Sequence, residues 1–312
     1  MADSPPPPAA EVAADSAVIA RGQFLLREIA TPDGPRRFKL YVPSRYDKSR
    51  PAPLLVVLHG CTQDPDDIAR GTRFNAIAEE TRMLVVYPEQ PQKANGLKCW
   101  NWFDATHQRR DKGEPALIAE ITQRVIGEYS VDARRVYVVG VSAGAAMALT
   151  VAYAFPEVFA AAGIHSGIAY GAATSVADAM KAMGAGAADP ASLPAAVVNG
   201  MGSKRYFPAI VFQGAADKSV KVVNVSQVVS QLSESYAPGG LKQLSATPGL
   251  SEGGYHFTKT VYGNARPLIE LWIVDELGHA WSGGSSEGTY TDPKGPDASR
   301  EMIRFLLEHP RN

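Results

Sequence analysis

Residues 135–144 read RVYVVGVSAG, and the fold can be inferred outward from this stretch. An apolar run ends at Gly140, and an alanine-rich segment from 143 to 154 begins directly after Ser142. The run is typical of a strand buried on both faces, and the segment after it is typical of a buried helix. A serine flanked by glycines at such a turn stands clear of the sheet, where a base can take its proton. The stretch therefore predicts a nucleophilic Ser142 at the carboxyl end of a central strand.

Strand and helix patterns alternate on both sides of this turn. Short apolar runs bounded by Gly or Pro predict strands at 23–29, 37–42, 54–58, 83–87, 135–139, 209–213 and 268–274. Apolar spacings of three and four predict helices at 69–81, 115–129, 143–154, 219–236 and 298–308. Pro115 is expected at a first helical position and Asp297 at an N-cap. The alternation predicts an α/β fold, with a mostly parallel sheet covered by helices on both faces.

One catalytic domain is expected over residues 22–312. Residues 1–21 form a leader rich in Pro and Ala, a composition typical of an extended or disordered segment. Residues 171–206 contain no strand-like run and are predicted to be a cap inserted over one end of the sheet. Residues 238–265 are predicted to be a second insertion, in the form of a small hairpin.

Composition excludes several classes of function. Among 312 residues, 31 Lys and Arg balance 32 Asp and Glu, so the net charge of −1 provides no basic field for nucleic acid or anionic membrane. No stretch approaches the roughly 20 apolar residues of a membrane span. Two cysteines are too few for a four-thiolate zinc site, and no H-E-x-x-H motif occurs, so neither a metal nor a cofactor is expected. No pattern predicts an oligomeric state.

A base and an acid are expected after the nucleophile in chain order. His279 lies in the glycine-rich loop DELGHAWSGG, directly after the last predicted strand. Asp217 lies just beyond the end of the strand predicted at 209–213. This position makes Asp217 the favoured acid. Asp275 and Glu276 are alternatives, but they are too close to His279 to come from a separate strand. His165 is expected to line the pocket without acting as the base.

The negatively charged oxygen of a tetrahedral intermediate needs hydrogen-bond donors. One is expected to be the main-chain N–H of Ala143, the residue after the nucleophile. The other is expected from the loop after the third strand, where Cys61 N–H is the first candidate and Thr62 the next. His59 in the same loop is interpreted as a structural imidazole rather than a catalytic one.

Several longer blocks carry a family resemblance. They are LHGCTQ at 58–63, CWNWF at 99–103, GEPALIAEI at 113–121, GVSAGAAMA at 140–148, and GHAWSGG followed by YTDPKGPDASREMIRFLLEH at 290–309. Over roughly residues 22–309 the chain resembles the esterases of the polyhydroxybutyrate depolymerase family, which is similar to feruloyl and acetyl-xylan esterases of the α/β-hydrolase group. The resemblance implies a secreted serine esterase in which Ser142, Asp217 and His279 form the catalytic triad.

The resemblance also favours a disulfide between Cys61 and Cys99 over two buried thiols. Such a bridge would brace the oxyanion loop, and it favours a secreted or periplasmic location, with the cytoplasm as the alternative. Trp100, Trp102 and Trp281 lie in loops at the active end of the sheet. They are predicted to bind substrate by stacking, with burial in the loop core as the alternative.

The partner expected from these residues is a small-molecule or polymeric ester. Hydrolysis of hydroxyalkanoate esters is the first hypothesis, and feruloyl or acetyl-xylan ester hydrolysis is the second. An acyltransferase on the same fold and a non-catalytic α/β-hydrolase that only binds ligands are the remaining alternatives. The choice of substrate depends on the predicted cap at 171–206.

Overall fold

The computed structural model describes residues 22–32, 34–203, 205–236 and 240–311. Its strands are β1 (Gln23–Ile29), β2 (Arg36–Val42), β3 (Ala52–Leu58), β4 (Leu84–Pro88), β5 (Val131–Val141), β6 (Ala161–His165), β7 (Ala209–Gly214), β8 (Lys242–Leu250), β9 (His256–Gly263), β10 (Pro267–Val274), β11 (Trp281–Ser282) and β12 (Thr291–Asp292). Its α-helices are α1 (Pro65–Thr72), α2 (Phe74–Thr81), α3 (Gly113–Glu128), α4 (Ala143–Ala154), α5 (Val176–Ala185), α6 (Leu193–Met201), α7 (Val223–Tyr236) and α8 (Ala298–Leu307). The leader predicted at 1–21 lies outside the described residues.

Ten strands form one sheet in the order β1-β2-β4-β3-β5-β6-β7-β10-β9-β8. The six central strands, from β4 to β10, pair in parallel. The strands at both edges pair antiparallel. The carboxyl ends of the parallel strands therefore meet at one edge of the sheet, which is where ligands bind in open α/β folds.

Two apolar clusters lie on opposite faces of this sheet. Along β3, Leu54 and Val56 join one cluster, whereas Leu55 and Val57 join the other, because successive strand side chains point to opposite faces. The first cluster contains residues of α3, α4 and α7, and the second contains residues of α1, α2 and α8. The prediction of an α/β sheet with helices on both faces is confirmed.

Two helix boundaries differ from the prediction because a loop conformation intervenes. The single helix expected at 69–81 is two helices, since Arg73 adopts a left-handed φ of 58° and redirects the chain between α1 and α2. The helix expected from 115 begins at Gly113, so Pro115 is its third residue rather than its first. A proline in the first turn removes no helical hydrogen bond, so this shift costs the helix nothing.

Hydrogen bonds of acidic side chains explain two other helix starts. The helix expected at 219–236 begins only at Val223, since the Asp217 carboxylate accepts the N–H groups of Ser219 and Val220 in a preceding turn. At α8 the Asp297 side chain accepts the N–H of Arg300 at 3.0 Å, as the predicted N-cap requires.

The two stretches that were predicted as insertions have different structures. Within 171–206 the described residues form α5, a short 3-10 helix at Pro190–Ser192 and α6, and both α-helices pack against α7. The 238–265 stretch contains β8 and β9, an antiparallel hairpin that extends the main sheet beyond β10. Across the described ranges, no helix combines the length and hydrophobicity that crossing a bilayer requires.

Candidate active site

Ser142 occupies the sharp turn between β5 and α4 with φ 57° and ψ −122°, a conformation that non-glycine residues rarely adopt. The two flanking glycines make this turn sterically feasible. A Cβ on Gly140 would lie 2.2 Å from the carbonyl oxygen of Gly144, and a Cβ on Gly144 would lie 2.2 Å from that of Leu58. The G-x-S-x-G sequence thus serves close backbone packing that holds the serine above the end of the strand.

The predicted base and acid lie in a hydrogen-bonded chain with this serine. His279 Nε2 is 3.0 Å from Ser142 Oγ, and His279 Nδ1 is 2.7 Å from Asp217 Oδ2. The three residues follow β5, β7 and β10, so the parallel sheet brings together groups that are far apart in sequence. The alternative acid Glu276 instead binds His256 Nδ1 at 3.0 Å.

The Asp217 carboxylate is fully buried and saturated with donors. Its Oδ1 accepts the N–H groups of Ser219 at 2.8 Å and Val220 at 2.9 Å. Burial raises the pKa of this carboxyl, but the hydrogen bond and charge of His279, with the two amides, outweigh it and hold the pKa below its ordinary value. Asp217 is therefore charged at neutral pH and can orient the imidazole and stabilise its protonated form.

The predicted oxyanion donors differ in whether they are available. No acceptor in the described part of the chain is bonded to the N–H of Cys61 or of Ala143. The Thr62 N–H, in contrast, donates to the carbonyl of Leu97 at 2.6 Å. Thr62 is therefore not a free donor, because its amide is already occupied by this bond.

A disulfide joins Cys61 to Cys99, as the family resemblance implied. It ties the loop after β3 (residues 60–63, the oxyanion loop) to the segment after β4. Hydrogen bonds within the protein hold that segment in turn. The Cys99 carbonyl accepts from Gln90 Nε2 at 3.0 Å, and the buried carboxylate of Glu114 accepts the N–H of Asn101 at 2.7 Å. The bridge thus fastens the oxyanion loop to a well-anchored neighbour.

The two histidines near the site are both buried and neutral. His59 accepts the N–H of Gln90 on Nε2 at 3.1 Å and donates from Nδ1 to its neighbour's carbonyl, and burial lowers its pKa. This is a structural arrangement, in line with the interpretation from sequence. His165 does not line the cleft as expected, because its ring lies beneath the loop that carries His279, where it accepts the N–H of Ser282.

The three tryptophans predicted to bind substrate are all buried. Trp100 is 0% exposed, Trp102 is 6% exposed and Trp281 is 2% exposed. The Trp281 Nε1–H donates to Ser299 Oγ at 3.0 Å, which turns the ring toward α8 and away from the cleft. None of the three lines the cleft beside Ser142, and their burial favours the alternative interpretation, in which the rings pack in the core.

A cleft of about 200 Å³ opens beside the nucleophile. The residues that line it are Gly60, Cys61, Gln63, Val141, Ser142, Met183, Ser219, His279 and Tyr290. Sequence reasoning missed Met183 and Tyr290, which form the apolar walls. Tyr290 begins one of the family blocks, and this was the available signal for it. Met183 lies in the predicted cap, whose helical path was not legible. None of these lining residues is an Asp, Glu, Lys or Arg.

Within the described ranges, no group of three or more His, Cys, Asp or Glu side chains is arranged to hold a metal ion.

Known proteins with similar sequences include a depolymerase and esterases, as their names state. The poly(3-hydroxyalkanoate) depolymerase C of Paucimonas lemoignei is 32% identical over 267 residues, 84% of this chain and 60% of that protein. Feruloyl esterase B of Neurospora crassa is 34% identical over 135 residues, 43% of this chain and 44% of that protein. The chain thus spans less than two thirds of the length of either relative.

Solved structures agree on the fold. The acetyl xylan esterase from Aspergillus awamori superposes with a TM-score of 0.69 at 20% identity, covering 82% of this chain and 94% of that one. A thermostable esterase superposes with a TM-score of 0.55 at 22% identity, covering 94% of this chain and 64% of that one. The predicted α/β-hydrolase fold is therefore confirmed. The family model of the PHB depolymerase esterases matches residues 37–237, well over half of the sequence, and the chain belongs to that family.

Proposed function

We propose that this protein is a serine carboxylic ester hydrolase that works through an acyl-enzyme. The observation that carries the proposal is the hydrogen-bonded chain from Ser142 Oγ through the imidazole of His279 to Asp217. Family membership and the ester-cleaving relatives support it independently.

In the acylation step His279 Nε2 takes the proton of Ser142 Oγ as that oxygen attacks the ester carbonyl carbon. The carbonyl oxygen becomes negative and accepts hydrogen bonds from the N–H groups of Cys61 and Ala143. The carbon–oxygen bond to the alcohol then breaks, and the imidazolium returns its proton to the departing alkoxide. Asp217 stays charged throughout and stabilises the imidazolium.

In the deacylation step the same imidazole takes a proton from water. The resulting hydroxide attacks the acyl-enzyme, the bond to Ser142 Oγ breaks, and the serine regains its proton from His279. The products are one alcohol and one carboxylic acid. Transfer of the acyl group to a second alcohol in place of water would make the protein an acyltransferase.

The cleft supports an uncharged substrate of modest acyl size. Its walls, Met183 and Tyr290, are apolar, and its volume of about 200 Å³ is below the roughly 300–1,000 Å³ of drug-sized sites. A hydroxyalkanoate ester is the first candidate, supported by the poly(3-hydroxyalkanoate) depolymerase that matches over 267 residues. Feruloyl and acetyl-xylan esters are the second, supported by the shorter matches. The Cys61–Cys99 disulfide favours a secreted or periplasmic location.

The test is a hydrolysis panel of hydroxybutyrate oligomers, methyl ferulate, acetylated xylan and p-nitrophenyl esters, ranked by kcat/KM. We expect turnover of p-nitrophenyl acetate that falls at least about a thousandfold in His279→Ala. Near wild-type activity in that variant would refute the assigned base. Formation of a new ester with an added alcohol, in place of free acid, would favour the acyltransferase. A protein that neither turns over esters nor reacts with a serine-directed phosphonate would be a binding protein.

A further inference from the structure

His165 is a buried titratable residue that the proposed mechanism does not use, yet it contacts both sides of the site. It is the last residue of β6 and is 0% exposed. Its main-chain carbonyl accepts the N–H of Ser142 at 2.9 Å. Its ring Nε2 accepts the N–H of Ser282 at 3.0 Å, and Ser282 follows His279 by three residues. One residue therefore bonds to the nucleophile turn and to the loop of the base.

The ring of His165 is held in a fixed orientation. It stacks on Trp281 with 4.9 Å between ring centroids and 23° between planes, and on Phe212 with 5.8 Å and 12°. The Nδ1–H donates to Ser166 Oγ at 3.1 Å. Since Nε2 faces an N–H donor, the single proton must lie on Nδ1. Both ring nitrogens therefore have a partner, and the ring has no freedom to rotate.

The imidazole is neutral near neutral pH. Burial, together with the charge of the nearby His279, lowers its pKa to about 3, and the opposing charge of Asp217 does not reverse this shift. The proton lost from Nε2 leaves a lone pair that accepts the Ser282 N–H at any working pH. The residue is thus a permanent acceptor and cannot exchange protons with the substrate.

We propose that His165 is a positioning residue that sets the separation between the nucleophile and the base. Its main-chain carbonyl holds the turn of Ser142 and its ring holds the strand β11. Both partners of the 3.0 Å contact between Ser142 Oγ and His279 Nε2 are therefore held by one residue. This inference rests on the proposed function, because it concerns the same triad.

An apolar side chain of similar size would fill the space between Trp281 and Phe212 but could not hold the loop. Ser282 is 0% exposed, so its N–H would lose its acceptor with no water to replace it. The loop would then move to find another partner, and His279 would move with it. A displacement of about 1 Å at a reacting group can cost about a hundredfold in rate.

The test compares His165→Leu, which removes the acceptor, with His165→Gln, whose amide oxygen extends to the position of Nε2. His309→Leu is the matched control. His309 is also buried, and its ring nitrogens lie within hydrogen-bond distance of the carbonyl oxygens of Phe305 and Pro267. It lies at the amino end of β10, away from the site. The substrate is p-nitrophenyl acetate, active sites are counted by complete reaction with a serine-directed phosphonate, and Tm is measured for each variant.

We expect His165→Leu to lower kcat per titrated site at least about tenfold, with KM changed less than about twofold, because acylation and deacylation use the same misplaced base. His165→Gln should recover most of kcat. His309→Leu should lower Tm and leave kcat per site unchanged. Wild-type kcat in His165→Leu, or equal losses in the Leu and Gln variants, would overturn the proposal.

Where His165→Leu does not fold, His165→Asn takes its place, since its shorter amide cannot reach Ser282. We then expect a higher kcat for His165→Gln than for His165→Asn, and equal kcat values would overturn the proposal. Failure of all three variants to fold, with His309→Leu folded, would also overturn it, because the residue would then act in folding alone. A wild-type protein without esterase activity would refute the proposed function, whereas an active, His279-dependent enzyme that tolerates His165→Leu refutes only this inference.

Discussion

Two parts of the wall of the cleft beside Ser142 are held in different ways. The oxyanion wall, residues 60–63, is covalently tied through the Cys61–Cys99 disulfide. Gln63 adds an internal clamp, because its Oε1 accepts the N–H of Gly60 at 2.9 Å while its Nε2 donates to the buried Asp67 at 2.9 Å. In this wall Cys61 is thus fixed by a covalent bond, Gly60 and Gln63 by buried hydrogen bonds, and the exposed Thr62 by its main-chain bond to Leu97.

The cap wall, helix α5, is held more lightly. Val176 and Met180 are 63% and 66% exposed, and the helix reaches the cleft only through Met183. The Met183 carbonyl accepts from Lys221 N at 2.9 Å and from Asn224 Nδ2 at 3.0 Å. From this comparison we expect the fixed wall to serve the chemistry common to all substrates and the exposed wall to select among them.

The largest expected effect tests whether Ser142, His279 and Asp217 act as a catalytic triad. Asp217→Asn keeps the size of the side chain but removes its charge and presents an N–H to the ring of His279. We expect kcat for p-nitrophenyl acetate to fall by about 10⁴, as loss of the acid does in such triads. Circular dichroism of the variant checks that it is folded. A fall of less than tenfold in a folded variant would mean that another group orients the imidazole.

The next largest effect concerns the covalent brace of the oxyanion wall. Replacing both cysteines, Cys61→Ala with Cys99→Ala, should lower kcat by about 10–100-fold, because the Cys61 N–H becomes mobile. Closing a loop of this length contributes about 4 kcal/mol in the chain-entropy model, so the free energy of unfolding should fall by up to that amount. Urea unfolding and steady-state kinetics check both. A loss of stability with unchanged kcat would show that the bridge serves the fold alone.

A smaller effect is expected at the polar clamp of the same wall. Gln63→Leu removes the acceptor for the Gly60 N–H and leaves Asp67 with one donor fewer. We expect kcat to fall about tenfold with little change in KM, because the wall serves the transition state more than the bound substrate. Steady-state kinetics on one short ester is the measurement. A rise in KM with constant kcat would instead make Gln63 a substrate contact.

A substitution in the cap wall should change the selectivity between substrates rather than the rate of the reaction. Met183→Ala enlarges the cleft, so the ratio of kcat/KM for p-nitrophenyl butyrate over the acetate should rise about three- to tenfold. Met180→Ala is the matched control, because that side chain lies one turn away on the same helix and points to solvent. Equal shifts in both variants would show that the effect comes from the helix as a whole.

The smallest expected effect is a pH dependence of stability that originates at the buried carboxylate of Asp217. The pKa of Asp217 is lower in the folded protein than in the unfolded chain, so its charged contacts stabilise the fold above the unfolded pKa near 4. This contribution is lost as pH falls through the folded pKa. The difference in unfolding free energy between wild type and Asp217→Asn should therefore shrink from about pH 6 to about pH 3. A difference that stays constant over this range would contradict the charged pairing.

Local patterns predicted the α/β sheet, most of its central strands and the chain order of Ser142, Asp217 and His279. They succeeded because each residue ends a parallel strand, and apolar runs identify such strands without knowledge of the fold. They failed where contacts distant in sequence decide the outcome. The orientation of the Thr62 amide depends on Leu97, and the inward turn of Trp281 depends on Ser299.

The amino-acid sequence by itself determined the strand-to-helix turn at Ser142, because glycine, serine and the flanking apolar runs act over a few residues. It also identified the family, since several blocks recur together. Only the tertiary structure decided how the cleft is bounded, by Met183 and Tyr290 rather than by tryptophans. The same holds for His165, whose bonds to the two sides of the site cross three strands. Which face of a loop residue is buried depends on packing partners far away in the chain, and no local pattern contains that information.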